Sequence, residues 1–115
     1  MPSEKNEGTS EVPAGMSQDE FQKLIASTQP VLIDFFAPWC APCKQMAPTL
    51  EKLTKEYAGK ATIKTINYDD NKALARSLQV DEIPVFLLYK NGMLLWRGMG
   101  LMPEKEFREV IDGAL

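Results

Sequence analysis

The chain has 115 residues, enough for one domain around one hydrophobic core. Its 44% hydrophobic and 25% charged residues are ordinary for a globular protein, and a net charge of −3 with scattered Lys and Arg leaves no basic footprint for nucleic acid. Histidine is absent, which removes Cys–His nucleophilic catalysis, a Ser-His-Asp triad and any His-ligated metal site, and no apolar run approaches the ~20 residues of a membrane helix.

Residues 1–16 are rich in Glu, Ser, Gly and Pro, with Glu4, Glu7 and Glu11 against Lys5. Such a stretch buries too little surface to offset its ordering entropy, so a flexible polar tail is expected there, and the domain is expected to occupy residues 17–115. The tail lacks the apolar region of a secretory signal. Its composition suits a cytoplasmic N-terminus, and equally a tether left in a periplasmic or membrane-attached protein after removal of a leader.

The first predicted helix covers roughly residues 18–27. Ser17 and Glu20 form a capping box, Met16 and Phe21 a hydrophobic staple, and Phe21, Leu24 and Ile25 one apolar face. Pro30 ends it, and VLIDFF over 31–36 reads as a strand buried on both faces. Cys43, Met46, Ala47, Leu50, Leu53 and Tyr57 recur at helical spacing over 41–58, with a kink expected at Pro48 and a stop at Gly59. A strand at 61–67, a short helix at 71–78 and a strand at 84–90 follow. Asn91-Gly92 predicts a tight hairpin into a last strand at 93–98. Pro103, in a first turn with Glu104 and Glu106, opens a closing helix to about 114. The order αβαβαββα predicts a mixed sheet with helices on both faces.

Cys40 and Cys43 fall where a long helix leaves the end of a buried strand. Free N–H groups and the positive end of the helix dipole stabilise a thiolate there, the nucleophilic form of cysteine. Pro42 has no N–H, so the donor expected for the Cys40 sulfur is the amide of Cys43. Three residues on, Cys43 is near enough to attack a mixed disulfide on Cys40. Its place on the core-facing stripe predicts that Cys43 is shielded and Cys40 exposed. A zinc half-site is the bland alternative, but two thiolates without His or a second cysteine pair cannot fill a tetrahedral site. A purely structural bridge across so short a loop would constrain little of the unfolded chain. Asp34 alternates with Ile33 and Phe35, which allows either a buried carboxylate or a residue facing solvent. Trp96 fits sheet packing or an exposed partner patch.

Trp39-Cys40-Ala41-Pro42-Cys43-Lys44 after a Val-Leu-Ile-Asp-Phe-Phe strand resembles the active site of the thioredoxin family. The likeness continues through Met46-Ala47-Pro48, Ile83-Pro84, Lys90-Asn91-Gly92 and Gly100, in order, over about residues 17–115. The resemblance implies a thioredoxin fold of the α/β class, a single mixed four- or five-stranded sheet flanked by four helices. It implies Cys40 and Cys43 as the redox pair and Asp34 as a buried general acid/base for Cys43. It also implies Pro84 as a cis-proline facing the disulfide, with Trp39, Ile83, Pro84, Gly100 and Leu101 forming the substrate face. Ala41 and Pro42 would support the site and help set its potential.

Several residues depart from the family pattern. Ala41 stands where Gly is commonest, and Phe36 where Trp is usual. Thr65 takes the place of a lysine that usually neighbours the buried Asp, with Lys64 one step away on the opposite face. That substitution should raise the Asp34 pKa further. Pro13 and Gly15 argue against a full edge strand at 11–16, and Met102 replaces a polar cap.

The expected function is reduction of substrate-protein disulfides by a monomer without cofactor or metal. By family analogy the electrons come from a reductase or a membrane thiol carrier. The alternatives are an extracytoplasmic disulfide oxidase or isomerase, poised at higher potential, and a non-catalytic binding module.

Overall fold

The computed structural model describes residues 15–115. In chain order the elements are α1 (Gln18–Ile25), β1 (Val31–Phe36), α2 (Ala41–Glu56), β2 (Thr62–Asn67), α3 (Lys72–Ser77), β3 (Val85–Lys90), β4 (Met93–Met99) and α4 (Glu104–Ala114), with a 3₁₀ turn at Asp69–Asn71 leading into α3. The strands lie in the order β2-β1-β3-β4. β1 runs parallel to β2 and antiparallel to β3, and β3 is antiparallel to β4.

The period-two alternation of β1 divides the interior. Val31, Ile33 and Phe35 join Phe21, Ile25, Leu74, Val85 and Leu87 on the face covered by α1 and α3. Leu32 joins Leu50, Leu53, Phe86, Phe107 and Ile111 on the face covered by α2 and α4. On that second face Phe86 and Phe107 meet edge to face at 4.9 Å, and Trp96 meets Phe107 at 6.1 Å. Trp96 is therefore half-buried sheet packing, lying over Gly98 where a Cβ would collide with its indole and with the Met102 sulfur. A fully buried aromatic ring contributes on the order of 2–3 kcal/mol by burial, so the two faces are held by comparable clusters.

α1 begins with the capping box, both reciprocal bonds being present between Ser17 and Glu20. It ends at Ile25, two residues before the expected end. The hairpin turn supplies the reason: Gly92 N–H donates to the Ile25 carbonyl at 2.8 Å and Asn91 N–H to the Ser27 carbonyl at 2.9 Å. That hairpin carries positive φ at both Asn91 (55°) and Gly92 (81°), as a two-residue turn matched to sheet twist requires.

Other boundaries also shift. α2 stops at Glu56, short of the expected 58, with Gly59 at φ 85° beyond it. Pro103 is the residue before α4 with extended backbone, not a member of its first turn. Ala61 precedes β2 and Pro84 precedes β3. Met16, counted with the tail by composition, packs against the first cluster, and its N–H donates to Asn71 Oδ1 at 2.7 Å. Residues 1–14 of the expected tail, and with them residues 11–14 of the strand in question at 11–16, lie outside the described residues. Among the described residues no helix is long and apolar enough to cross a membrane.

Candidate active site

β1 delivers its C-terminal end to the start of α2, and the chain between them turns through Ala37-Pro38-Trp39. Cys40 is the N-cap of α2, with extended backbone, and its sulfur accepts the Cys43 N–H at 3.2 Å. The two cysteines form a disulfide, with Cα atoms 5.2 Å apart. No acidic residue occupies the first turn of α2, so nothing there neutralises the positive end of its dipole.

Both cysteines are buried: Cys40 is 4% exposed and Cys43 7%. This corrects the expectation that Cys40 would be the exposed thiol. Helical periodicity places Cys43 correctly but says nothing of the cap residue, whose side chain is covered by a tertiary contact. Ala37, Cys40 and Cys43 cluster together, with Phe36 and Ile83 packed against them.

Ile83 arrives from the loop before β3, and the Ile83–Pro84 peptide bond is cis. Gly100, at φ 76°, donates its N–H to the Pro84 carbonyl at 3.0 Å, which brings the loop after β4 to the same end of the sheet. Leu101 follows it in the chain, 60% exposed. Trp39 is 65% exposed and is held by its Nε1–H, which donates to Asp69 Oδ2 at 2.7 Å. Ala41 and Pro42 are the first two residues of α2. The structure thus gathers Ile83 directly onto the cysteines and ties Gly100 to Pro84, while Trp39 and Leu101 stand outward as apolar surface. Asp69 is the residue that sequence reasoning missed: the Asp69-Asp70 pair signals only a helix start, and its indole partner is thirty positions away.

Asp34 lies on the α2 face of β1 and is 6% exposed. The alternative of a solvent-facing Asp34 is thereby removed. Burial pushes its carboxyl from 3.8 up to about 7. The position beside it in the parallel ladder is Thr65. Lys64 pairs with Ile33 instead and points to the other face, so β2 offers Asp34 no cation. Among the described residues no group of three His, Cys, Asp or Glu is arranged to hold a metal ion.

Comparison with known proteins agrees with this geometry. The Thioredoxin family model matches residues 12–113. A thioredoxin of Haemophilus influenzae is 39% identical over 94 residues, which cover 81% of this chain and 88% of the relative. Thioredoxin 1 of Chlorobaculum tepidum is 35% identical over 100 residues, 87% of this chain and 99% of its own. Among solved structures, a mutant thioredoxin from Halobacterium salinarum superposes with a TM-score of 0.79 at 29% identity, covering 87% of each chain.

Proposed function

Because the chain belongs to the thioredoxin family, we propose that its thiol–disulfide exchange runs through Cys40 as the attacking thiolate and Cys43 as the resolving one. The protein is a thiol–disulfide oxidoreductase that reduces protein disulfides. The observation that carries the assignment of roles is the Cys40 sulfur at the N-cap of α2, receiving the Cys43 N–H. A thiolate at that position keeps the same donor and the same dipole.

In the forward direction, the Cys40 thiolate attacks one sulfur of a substrate disulfide. The substrate S–S bond breaks, a Cys40–substrate disulfide forms, and the departing thiolate takes a proton. Cys43 then gives its proton to the Asp34 carboxylate and attacks the Cys40 sulfur. The mixed disulfide breaks, the second substrate sulfur leaves as a thiolate and takes up the proton held by Asp34, and Cys40–Cys43 remains oxidised. Two electrons have passed from the chain to the substrate. A carboxyl near pH 7 in its titration is divided between acid and base at neutral pH, so it serves proton transfer in both directions.

Docking of the substrate segment is assigned to the exposed surface of Trp39 and Leu101, around Ile83, Pro84 and Gly100. The backbone of Ile83 can pair with an extended peptide as an added strand would. The catalytic unit is residues 17–115, acting as a monomer on disulfide-containing proteins, with a reductase returning electrons to the pair. Disulfide reduction suits a reducing compartment, so the cytoplasm is the setting we assign.

The test is a pair of variants. Cys40→Ser loses turnover with a protein disulfide, whereas Cys43→Ser accumulates trapped mixed disulfides on nonreducing gels. Equal activity in the two variants would overturn the assignment. A reduction potential near about −270 mV supports the reductase direction, and a value near about −120 to −180 mV reverses it.

A further inference from the structure

A cleft of about 330 Å³, lined by Cys43 but by neither Ile83 nor Pro84, opens between α2 and the β1–β2 edge. Asp34, Phe36, Cys43, Ala47, Leu50 and Thr65 are among its walls, and Lys44 and Glu51 also border it. Its volume is at the small end of ligand pockets, about 300–1,000 Å³. The lining is mainly apolar, with one buried carboxyl, Asp34, and the exposed Lys44 and Glu51 as its other charged residues.

That carboxyl has an unusual setting. Asp34 is 94% buried by the complement of its 6% exposure, and among the described residues no side chain or backbone N–H donates to it. Buried charges are ordinarily paired or hydrogen-bonded. The neighbouring ladder position is a threonine, and Lys64 of the same strand points to the opposite face. Lys44 and Glu51, the two charged residues at the border, are both exposed and opposite in sign, so they bring no net charge to the cleft. Burial is what raises the Asp34 carboxyl to about 7, a sign that the cleft supplies no countercharge of its own.

We propose that this cleft is a binding site for a small organic ammonium ion with an apolar body, its cationic head against Asp34 and its hydrocarbon part along Ala47, Leu50 and Phe36. An apolar wall with one unpaired buried anion selects such a cation on two counts. The head recovers Coulomb energy at low local dielectric, and the body removes apolar surface from water. A neutral molecule of the same shape satisfies only the second. A hydrated inorganic cation satisfies only the first. Binding and protonation at Asp34 must then oppose each other reciprocally. Cys43 borders the same space, so an occupant lies beside the resolving residue.

The experiment reads binding rather than turnover, so its outcome is separable from the role assigned to Asp34 in exchange. Benzylammonium and its neutral counterpart benzyl alcohol are titrated into the oxidised full-length chain, followed by amide and carboxyl NMR shifts at pH 8 and pH 5.5. Saturable shifts at Ala47, Leu50 and Thr65 are expected. Benzylammonium should bind about fivefold or more tightly at pH 8 than at pH 5.5, and prefer the site over the alcohol by a similar factor. Asp34→Asn, a neutral isostere, should lose both preferences. Ala47→Leu, which fills the cleft with Asp34 intact, should abolish the shifts. Absence of saturation, equal binding of the alcohol, preferences that survive Asp34→Asn, or affinity retained in Ala47→Leu each overturns the proposal.

Discussion

The N-termini of α2 and α4 present the same backbone device and use it in opposite ways. At α4 the first turn holds Glu104 and Glu106, and no side chain caps the helix. Glu104 receives hydrogen bonds from Arg108, which also pairs with Glu56, while Lys52 approaches Glu104 at 3.2 Å. These cations hold the Glu104 carboxyl below its usual range, the Arg108 hydrogen bond first among them. At α2 the first turn is Ala41-Pro42-Cys43, without an acid, and the cap is a sulfur. Asp34, which shares a cleft wall with Cys43 of this turn, is buried and its carboxyl is shifted the other way. A helix start that only has to be stable is neutralised by solvated acids. One that has to hold a reactive anion leaves its dipole open.

The largest effect should come from the buried carboxyl. Because the folded protein holds the Asp34 proton up to about pH 7 while the unfolded chain releases it near 3.8, the native state binds more protons across that window. Stability contributed by this proton is present below about pH 4 and is lost as pH rises through 7. Asp34→Asn should remove that slope and stabilise the protein at pH 8 by up to about 4 kcal/mol, three pKa units at about 1.4 kcal/mol each. Urea unfolding at pH 5 and pH 8 measures it, and a parent protein no less stable at pH 8 would mean that Asp34 is solvated. Glu104 should behave with the opposite sign, its contribution present at neutral pH and lost on acidification.

A smaller effect concerns ordinary capping. Ser17→Ala removes the acceptor for Glu20 N–H at the start of α1 and should cost about 1 kcal/mol of stability without changing the rate of exchange. A change in rate would show that α1 and the site are coupled. The smallest effect tests the open dipole itself. Ala41→Glu gives α2 the acid that α4 already has, and should slow attack by the reduced protein about two- to fivefold at low ionic strength. Salt should restore much of the loss, and a salt-independent loss would point to steric interference instead.

Much of this arrangement is legible in the sequence because it is local. Ser17 to Glu20 is a capping box within one turn, VLIDFF is a buried strand by composition, and Asn91-Gly92 can scarcely do anything but turn. The Cys43 amide as donor to Cys40 follows from the missing N–H of Pro42. What escaped the sequence depends on residues far apart in the chain. The end of α1 is set by a hairpin sixty-odd positions later, through Gly92 and Asn91. Cys40 is covered by Ile83, so its burial cannot be inferred from helical spacing. Asp69 anchors Trp39 across thirty positions. The vacancy of cations on the α2 side of β2 was visible as Thr65 and Lys64, but the cleft beside it needed the packing of α2 against that strand.

The two tryptophans sit in unlike optical environments. Trp39 stands in water next to the cysteine pair, its ring anchored by Asp69, whereas Trp96 lies between Gly98 and the edge of Phe107 on the far side of the sheet's last strand. Emission from the first should respond to whether the sulfurs are joined, and emission from the second should stay constant until the sheet itself melts. The molecule therefore carries a signal and an internal reference in the same spectrum, and the ratio of the two reports its redox state at any protein concentration.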